Sequence, residues 1–184
     1  AALPGDRPIL VDSAGCGAAL KRYGHLLGSP AAEAFAARVL DVHEWLAPQM
    51  GRLPTGRQTA GSVIVHDPCH LRHAQGCHGA VRDVLQPYME VVELDDEGLC
   101  CGAGGAYSLT EPVLADEVRQ RKVAAIGRAA GRSGATVVVS ANPGCTMHLV
   151  AAGVDVRHPM EVLAEALRED PVEAGIGESV GDAG

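Results

Sequence analysis

Aromatic residues are scarce in this 184-residue sequence, where Phe, Trp and Tyr together make up 3%. Its core must therefore be built from aliphatic side chains, and the 47% hydrophobic content is enough for one ordinary domain or two small ones. The sequence also lacks an apolar run near the roughly 18 residues that argue for a membrane span. A secretion signal has a charged region, then an apolar region, then small residues, and the N-terminal segment does not show this order.

Basic residues are outnumbered, with 15 Lys and Arg against 23 Asp and Glu, for a net charge of −8. Residues 169–184 contribute five of the acids and no base, so the rest of the chain is close to neutral, at 15 − 18 = −3. No basic face is available for nucleic acid, and a nucleic-acid partner is not expected. The acidic, Gly-rich stretch 169–184 is predicted to be a disordered tail.

The sequence has six cysteines, and two of them are adjacent. They are Cys16, Cys69, Cys77, Cys100, Cys101 and Cys145. Adjacent cysteines seldom bond to each other, because the small ring departs from relaxed disulfide geometry. Together with the missing secretion signal, this favours reduced thiols in the cytoplasm, where cysteine clusters more often bind metal or do redox chemistry.

Short apolar runs alternate with helical patterns along the chain. Strands are predicted at 8–12, 63–67, 89–94, 135–141 and 154–158, and helices at 16–27, 30–48, 79–87, 111–131, 144–152 and 159–168. Thr110 is expected to cap the helix that starts near 111. This alternation predicts a parallel α/β sheet with covered faces.

An internal repeat indicates two related modules. The segment "ILVDSAGCGAAL" (9–20) aligns with "VVSANPGCTMHL" (138–149) at a shift of 129 residues. A second match, "VLDVHEWLA" (39–47) with "VRHPMEVLA" (156–164), has a shift of 117, which predicts a 12-residue insertion in the long helix of the first copy. We predict an incomplete first module (1–52), a linker (53–62), a complete second module (63–168) and the tail.

Four cysteines of the second module follow predicted strands. Cys69 follows the strand at 63–67, Cys100 and Cys101 follow the one at 89–94, and Cys145 follows the one at 135–141. Because ligands of parallel α/β sheets bind beyond the carboxyl ends of the strands, these loops should bring four sulfurs to one metal centre. Cys77 lies outside such a loop and is interpreted as an apolar packing residue.

Polar and small residues beside these cysteines are candidates for the same site. Glycines after the cysteine pair, beginning with Gly102, let the backbone approach a bound group and donate N–H groups to sulfur. The segment "HDPCHLRH" offers His66, His70 and His73. His70 and His73 could share a helical face and are alternative nitrogen ligands for zinc, although a role in capping or beside the site fits these histidines better. A hydrolase using Cys69 and His70 is disfavoured, because sequence neighbours seldom form such a pair.

The segments "HDPCHLRHAQG", "LCCGAGGAYSLTEP" and "ANPGCTMHL" resemble the cysteine-rich CCG domain. That domain occurs in a subunit of heterodisulfide reductases, in lactate-utilisation proteins and in the iron–sulfur subunit of glycolate oxidase. The stretches "SAGCGAALKRYGHLL", "YSLTEP" and "VRHPMEVL" point to the last of these. The resemblance implies tandem modules whose cysteines bind an iron–sulfur cluster.

The resemblance also implies a ligand set. Cys69, Cys100, Cys101 and Cys145 would bind the cluster, with Gly102, Asn142 and His70 beside it. The fullest form of the motif ends in Cys-x-x-Cys, but Asn142 stands at the first of those positions, and Ser13 does so in the first module. Four thiols still match a 4Fe–4S cluster rather than a five-cysteine one, and zinc is the alternative.

Cys16 would be the last ligand of the first module's metal-binding set, and it would be an orphan here because the other ligands of that set are not in this sequence. Because the sequence begins at Ala1, it is read as processed or as a fragment. Another strand, cysteine loop and Cys-Cys-Gly turn are expected upstream, after a ferredoxin-like domain with two further clusters.

The function implied by the resemblance is electron transfer in a glycolate or related 2-hydroxy acid oxidoreductase. Flavin-containing subunits would oxidise the substrate, and a quinone or another acceptor would receive the electrons. The chain would be inactive alone and cytoplasmic, with peripheral association at the inner face of the membrane left open. Two alternatives remain: a lactate-utilisation or heterodisulfide-reductase-like component, and a zinc-stabilised interaction module without a redox role.

Overall fold

The computed structural model describes residues 3–54 and 61–168. Residues 55–60 of the predicted linker and the whole predicted tail (169–184) lie outside the described residues. Strand β1 (Ile9–Val11) pairs in parallel with β2 (Val39–Asp41) in a small first sheet. The second sheet is also parallel and has the order β4-β3-β5-β6, so the predicted parallel α/β class is confirmed.

The strands of the second sheet are β3 (Ser62–Val65), β4 (Glu90–Glu93), β5 (Val137–Val139) and β6 (Val156–Arg157). The helices are α1 (Ala14–Lys21), α2 (Tyr23–Leu27), α3 (Pro30–Ala36), α4 (Val42–Leu46), α5 (Gly79–Leu85), α6 (Tyr107–Thr110), α7 (Pro112–Ser133), α8 (Pro143–Val150) and α9 (Pro159–Ala166). A 3-10 helix covers Ala47–Arg52, and a π-helical turn covers His70–Gln75. Strand β3 begins at Ser62, one residue inside the predicted linker.

The second sheet is covered on both faces, as its apolar strands require. Val63 and Val65 of β3 pack with residues of α5 and α9, whereas Ile64 packs with residues of α7 and α8. This split follows from the alternation of side chains along a strand. Among residues 3–54 and 61–168, no helix is both long enough and apolar enough to cross a bilayer.

The single long helix predicted over 30–48 is wrong. The chain instead forms α3, the strand β2 and α4. Val39 is 2% exposed and pairs with Ile9, so sheet formation outweighs the helical spacing of the apolar residues. Asp41 then starts α4, because its side chain and that of Glu44 form a capping box.

The predicted cap at Thr110 is also wrong. Thr110 is the last residue of the short helix α6, and α7 begins at Pro112. The Thr110 hydroxyl donates to carbonyl oxygens of its own turn, those of Ala106 and Tyr107, so it is not free to cap α7. Proline at the first helical position, as observed here, needs no N–H partner.

The internal repeat corresponds to repeated structure. A shift of 129 residues maps α1 onto α8 from end to end, and Ser13 and Asn142 precede the two helices. A shift of 117 maps Asp41 onto His158, and each residue caps the next helix in a capping box. The 12 extra residues of the first copy fall between α1 and β2, where α3 lies.

Candidate metal centre

The cysteines lie at the point of the second sheet where the strand order reverses. Strand β3 has β4 on one side and β5 on the other, so the loops that follow β3 and β5 lead the chain to opposite sides. Such switch points form crevices at the carboxyl edge of parallel sheets. Cys69 follows β3 and Cys145 follows β5, so these two residues flank the crevice.

The structure brings four sulfurs into one cavity of about 360 Å³. Cys69, Cys100, Cys101 and Cys145 all line this cavity, and the sulfurs of Cys101 and Cys145 lie within 4.8 Å of each other. Cys101 and Cys145 are buried, and Cys69 and Cys100 are partly exposed. The cavity therefore has an interior pair and an outer pair of thiols, and their role as ligands stays a prediction.

Polar groups beside the sulfurs are arranged to donate hydrogen bonds. The backbone N–H of Gly102 donates to the sulfur of Cys100 at 3.4 Å, and the amide Nδ2 of Asn142 donates to that of Cys145 at 3.3 Å. His70 Nδ1 lies 3.7 Å from the sulfur of Cys69 and lines the cavity. Such donors favour negatively charged sulfur, the form that binds metal.

Gly102 occupies a position where only glycine fits. Its φ is +92°, and a Cβ would clash with the carbonyl oxygen of Ala115 and lie 3.1 Å from the backbone nitrogen of Arg119. The turn after the cysteine pair therefore packs directly on α7. This packing places the N–H of Gly102 against sulfur.

The thiols differ in how readily they ionise. The pKa of Cys145 is lowered, because its sulfur accepts hydrogen bonds from Cys101 and Asn142. Contact with Cys100 lowers the pKa of Cys101, but contact with Cys145 and burial raise it more, to about 12. Burial raises the pKa of Cys69, and contact with Cys101 raises that of Cys100. A metal that binds all four would have to displace protons from them.

Two helices begin at this cavity, one from each copy of the repeat. Gly15 and Cys16 of α1, together with the preceding Ser13, line it opposite the start of α8. The positive ends of both helix dipoles are therefore available to an anionic group. Cys16 is exposed and lies on the wall of this same cavity. Its assignment to a separate first set of ligands stays a prediction.

His66, which lies directly after β3, also belongs to the site, and the sequence pattern offers it beside His70 and His73 without predicting its burial next to the thiols. Its side chain is buried, and one ring nitrogen together with the sulfurs of Cys101 and Cys145 forms a group whose atoms lie within 4.8 Å of one another. Burial and the nearby positive charge of Lys122 lower the pKa of His66 to about 3, so the ring is neutral at pH 7. A polar residue that ends an otherwise apolar buried strand was the available signal.

Cys77 and His73 lie outside the set of residues that line the cavity. Cys77 packs against the core cluster that includes residues of α5, and burial raises its pKa to about 11. His73 is exposed on the π-helical turn. The packing position of Cys77 agrees with its interpretation as an apolar residue.

The residues present fit an iron–sulfur cluster. Four convergent thiols supply the sulfur ligands that such clusters require, and glycines leave room for a group larger than one ion. The two helix starts and the donors to sulfur suit a group with negative charge. Cys69, Cys100, Cys101 and Cys145 would hold it.

Fold and site together define a cysteine-rich α/β domain with a thiol-lined centre at the switch point of its sheet. Residues 63–150 match the family model of the CCG domain, described as "Cysteine-rich domain". This match identifies residues 63–150 as a CCG-type cysteine-rich domain.

Several curated proteins are similar to this chain. It is 35% identical to the "Glycolate oxidase iron-sulfur subunit" of Escherichia coli (strain K12), over 90% of this chain and 41% of that protein. It is 32% identical to a "Fumarate reductase (CoM/CoB)" subunit of Methanothermobacter marburgensis, over 80% of this chain and 28% of that protein. It is 26% identical to "Lactate utilization protein A" of Exiguobacterium sp., over 90% of this chain and 70% of that protein. The chain thus spans less than half the length of the first two relatives.

Proposed function

We propose that the protein is an iron–sulfur component of an oxidoreductase complex, acting in oxidation of glycolate or a related 2-hydroxy acid. The observation that carries the proposal is that Cys69, Cys100, Cys101 and Cys145 line one cavity. The similarity to an iron–sulfur subunit of glycolate oxidase supports it.

A 4Fe–4S cluster bound to these thiolates would supply a carrier of single electrons. The chain's own residues then set the conditions at the site. Cys101 and Cys145 anchor its buried side, while Asn142 and the N–H of Gly102 stabilise negative charge on sulfur. Cys69 and Cys100 stand on the accessible side, where a partner protein could approach.

The partners in this proposal are flavin-containing subunits and a quinone or other acceptor. A flavin that has taken two electrons from a 2-hydroxy acid needs an outlet that takes them one at a time. The domain supplies that outlet and is inactive without the flavin subunits. It acts in the cytoplasm, free or at the inner face of the membrane.

Anaerobic purification followed by metal analysis tests the cofactor. We expect iron and inorganic sulfide, with a brown colour, in the protein as isolated or after reconstitution with iron and sulfide. The double variant Cys100→Ser/Cys101→Ser should lose the iron, whereas Cys77→Ser, outside the cavity, should keep it. Zinc without iron in every preparation would replace this proposal with a zinc-stabilised interaction module.

Reconstitution with the flavin subunits tests the role. The Cys100→Ser/Cys101→Ser variant should leave reduction of flavin by glycolate nearly unchanged and slow delivery of electrons to a quinone. Undiminished delivery with the cluster gone would make the domain a scaffold. Flavin reduction by lactate but not by glycolate would favour the lactate-utilisation alternative, to which the similarity to lactate utilization protein A gives support.

A further inference from the structure

His66 stands out among the buried polar residues of the chain. Its side chain is 1% exposed, and neither ring nitrogen has a hydrogen-bond partner among the residues that the structure describes. Buried polar atoms are nearly always satisfied in native proteins, and an orphaned one points to a missing partner such as an ion. A neutral imidazole offers one lone pair for such a partner.

The surroundings of His66 show what that partner is. A ring nitrogen of His66 and the sulfurs of Cys101 and Cys145 lie within 4.8 Å of one another. Metal–sulfur bonds of about 2.3 Å and metal–nitrogen bonds of about 2.0 Å keep two ligands of one ion within roughly 4.6 Å. Small side-chain movements would therefore bring all three atoms onto one metal ion.

The backbone holds His66 in this place. Its N–H donates to the carbonyl oxygen of Val139 at 3.0 Å, which extends the pairing of β3 with β5 by one residue. The buried ring lies next to the two buried thiols, with one nitrogen within 4.8 Å of both sulfurs. It approaches the site from the protein interior, whereas His70 is exposed and approaches it beside Cys69.

We propose that His66 is a nitrogen ligand of the bound metal group, beside Cys101 and Cys145 on its buried side. The inference rests on the proposed function for the nature of the group. It deepens that function: four thiolates already match the four irons of a 4Fe–4S cluster, so the imidazole would bind one iron in place of one of the two buried thiolates. Such an exchange of thiolate for imidazole raises the reduction potential of an iron–sulfur centre. His66 would then be part of what sets the potential of this domain.

Pulsed EPR of the reduced, iron-loaded protein tests the proposal. Protein containing ¹⁵N-labelled histidine should show hyperfine coupling from a directly bound nitrogen. The coupling should disappear in His66→Gln and His66→Leu. It should persist in His70→Gln, which removes the histidine that lines the cavity, and in His43→Gln, which changes a buried histidine of α4. The His66 variants should also have a lower reduction potential.

The outcomes separate this inference from the proposed function. An iron-loaded wild-type protein without coupling to a histidine nitrogen, or coupling lost in His70→Gln instead, overturns the inference and leaves the iron–sulfur role intact. If the His66 variants fail to fold, nitrogen coupling that persists in labelled His70→Gln and His43→Gln supports the inference about His66. If only zinc binds, the iron–sulfur role fails, and X-ray absorption of the zinc protein decides whether nitrogen is a ligand.

Discussion

Asn142 joins the two copies of the repeat, because its Oδ1 accepts the backbone N–H of Gly15 at 3.1 Å across 127 residues of sequence. Its Nδ2 donates at the same time to the sulfur of Cys145 at 3.3 Å. One amide thus couples the start of α1 to a thiol of the candidate metal centre. This arrangement gives Asn142 a role of its own at the position where the motif can have a cysteine.

Two substitutions of Asn142 should separate the effects of its two hydrogen bonds. Asn142→Asp keeps the acceptor for Gly15 but removes the donor and adds negative charge near Cys145. We expect it to lose iron faster to a chelator and to have a lower reduction potential than the wild type. Asn142→Ala should also unfold more easily, by about 0.5–1.5 kcal/mol for the lost hydrogen bond to Gly15. Iron loss from Asn142→Asp at the wild-type rate would contradict the first expectation.

Gly102→Ala should destabilise the protein by about 2–5 kcal/mol. A positive φ costs an L-residue roughly 1–2 kcal/mol, and overpacking adds about 1–3 kcal/mol. Gly105→Ala is the matched control, because its φ is also positive (+65°) while its Cβ would meet no atom within 4 Å among the described residues. Denaturant unfolding should show a loss of only about 1–2 kcal/mol for Gly105→Ala. Equal losses for both variants would exclude the clash with α7.

Lys122 and Asp96 form a buried ion pair with a Nζ–Oδ2 distance of 2.5 Å, and their side chains are 1% and 7% exposed. Lys122→Met leaves the Asp96 carboxylate buried and unpaired, which should reduce the free energy of unfolding by about 3–5 kcal/mol. Arg128→Gln breaks the exposed pair with Asp95 and should reduce the free energy of unfolding far less, because water screens exposed ion pairs. A similarly small loss for Lys122→Met, measured by thermal and denaturant unfolding, would show that this pair is not needed.

His158 should make the protein less stable at mildly acidic pH. Burial and the neighbouring His43 lower its pKa in the folded state, although the negative charges of Asp12 and Glu161 partly oppose this. The unfolded chain therefore takes up the proton more readily, and stability falls as pH decreases from about 6.5 towards the lower folded-state pKa. His158→Asn keeps a residue that can cap α9 and cannot be protonated. The free energy of unfolding should then change less between pH 7 and pH 5 than in the wild type. An unchanged slope would assign the effect to other groups.

The strands and the cysteine loops could be predicted from sequence because they depend on local patterns. Apolar runs marked the strands of the second sheet, and each cysteine loop follows one of them, so the convergence of Cys69, Cys101 and Cys145 required only the parallel arrangement. The strand β2 was missed because its apolar residues also fit a helical period. Its pairing with Ile9, 30 residues away, decides its conformation. No local pattern carries that information.

The contacts around the sulfurs were harder to predict for the same reason. The bond from Gly15 to Asn142 depends on how the two copies of the repeat pack. His66 was less visible because a polar residue after a strand usually marks the surface. Its burial results from α7 and α8 covering that face of the sheet, which the sequence of β3 does not reveal.

Because α1 forms one wall of the cavity, a complete cavity needs more of the chain than the segment that matches the family model. The family match covers residues 63–150, yet Ser13, Gly15 and Cys16 close one side of the thiol-lined cavity. A protein engineer who excised the matched segment alone would obtain the cysteines but open them to water and oxygen. A segment used to transfer this centre to another protein should therefore include both copies of the repeat, from β1 to α9.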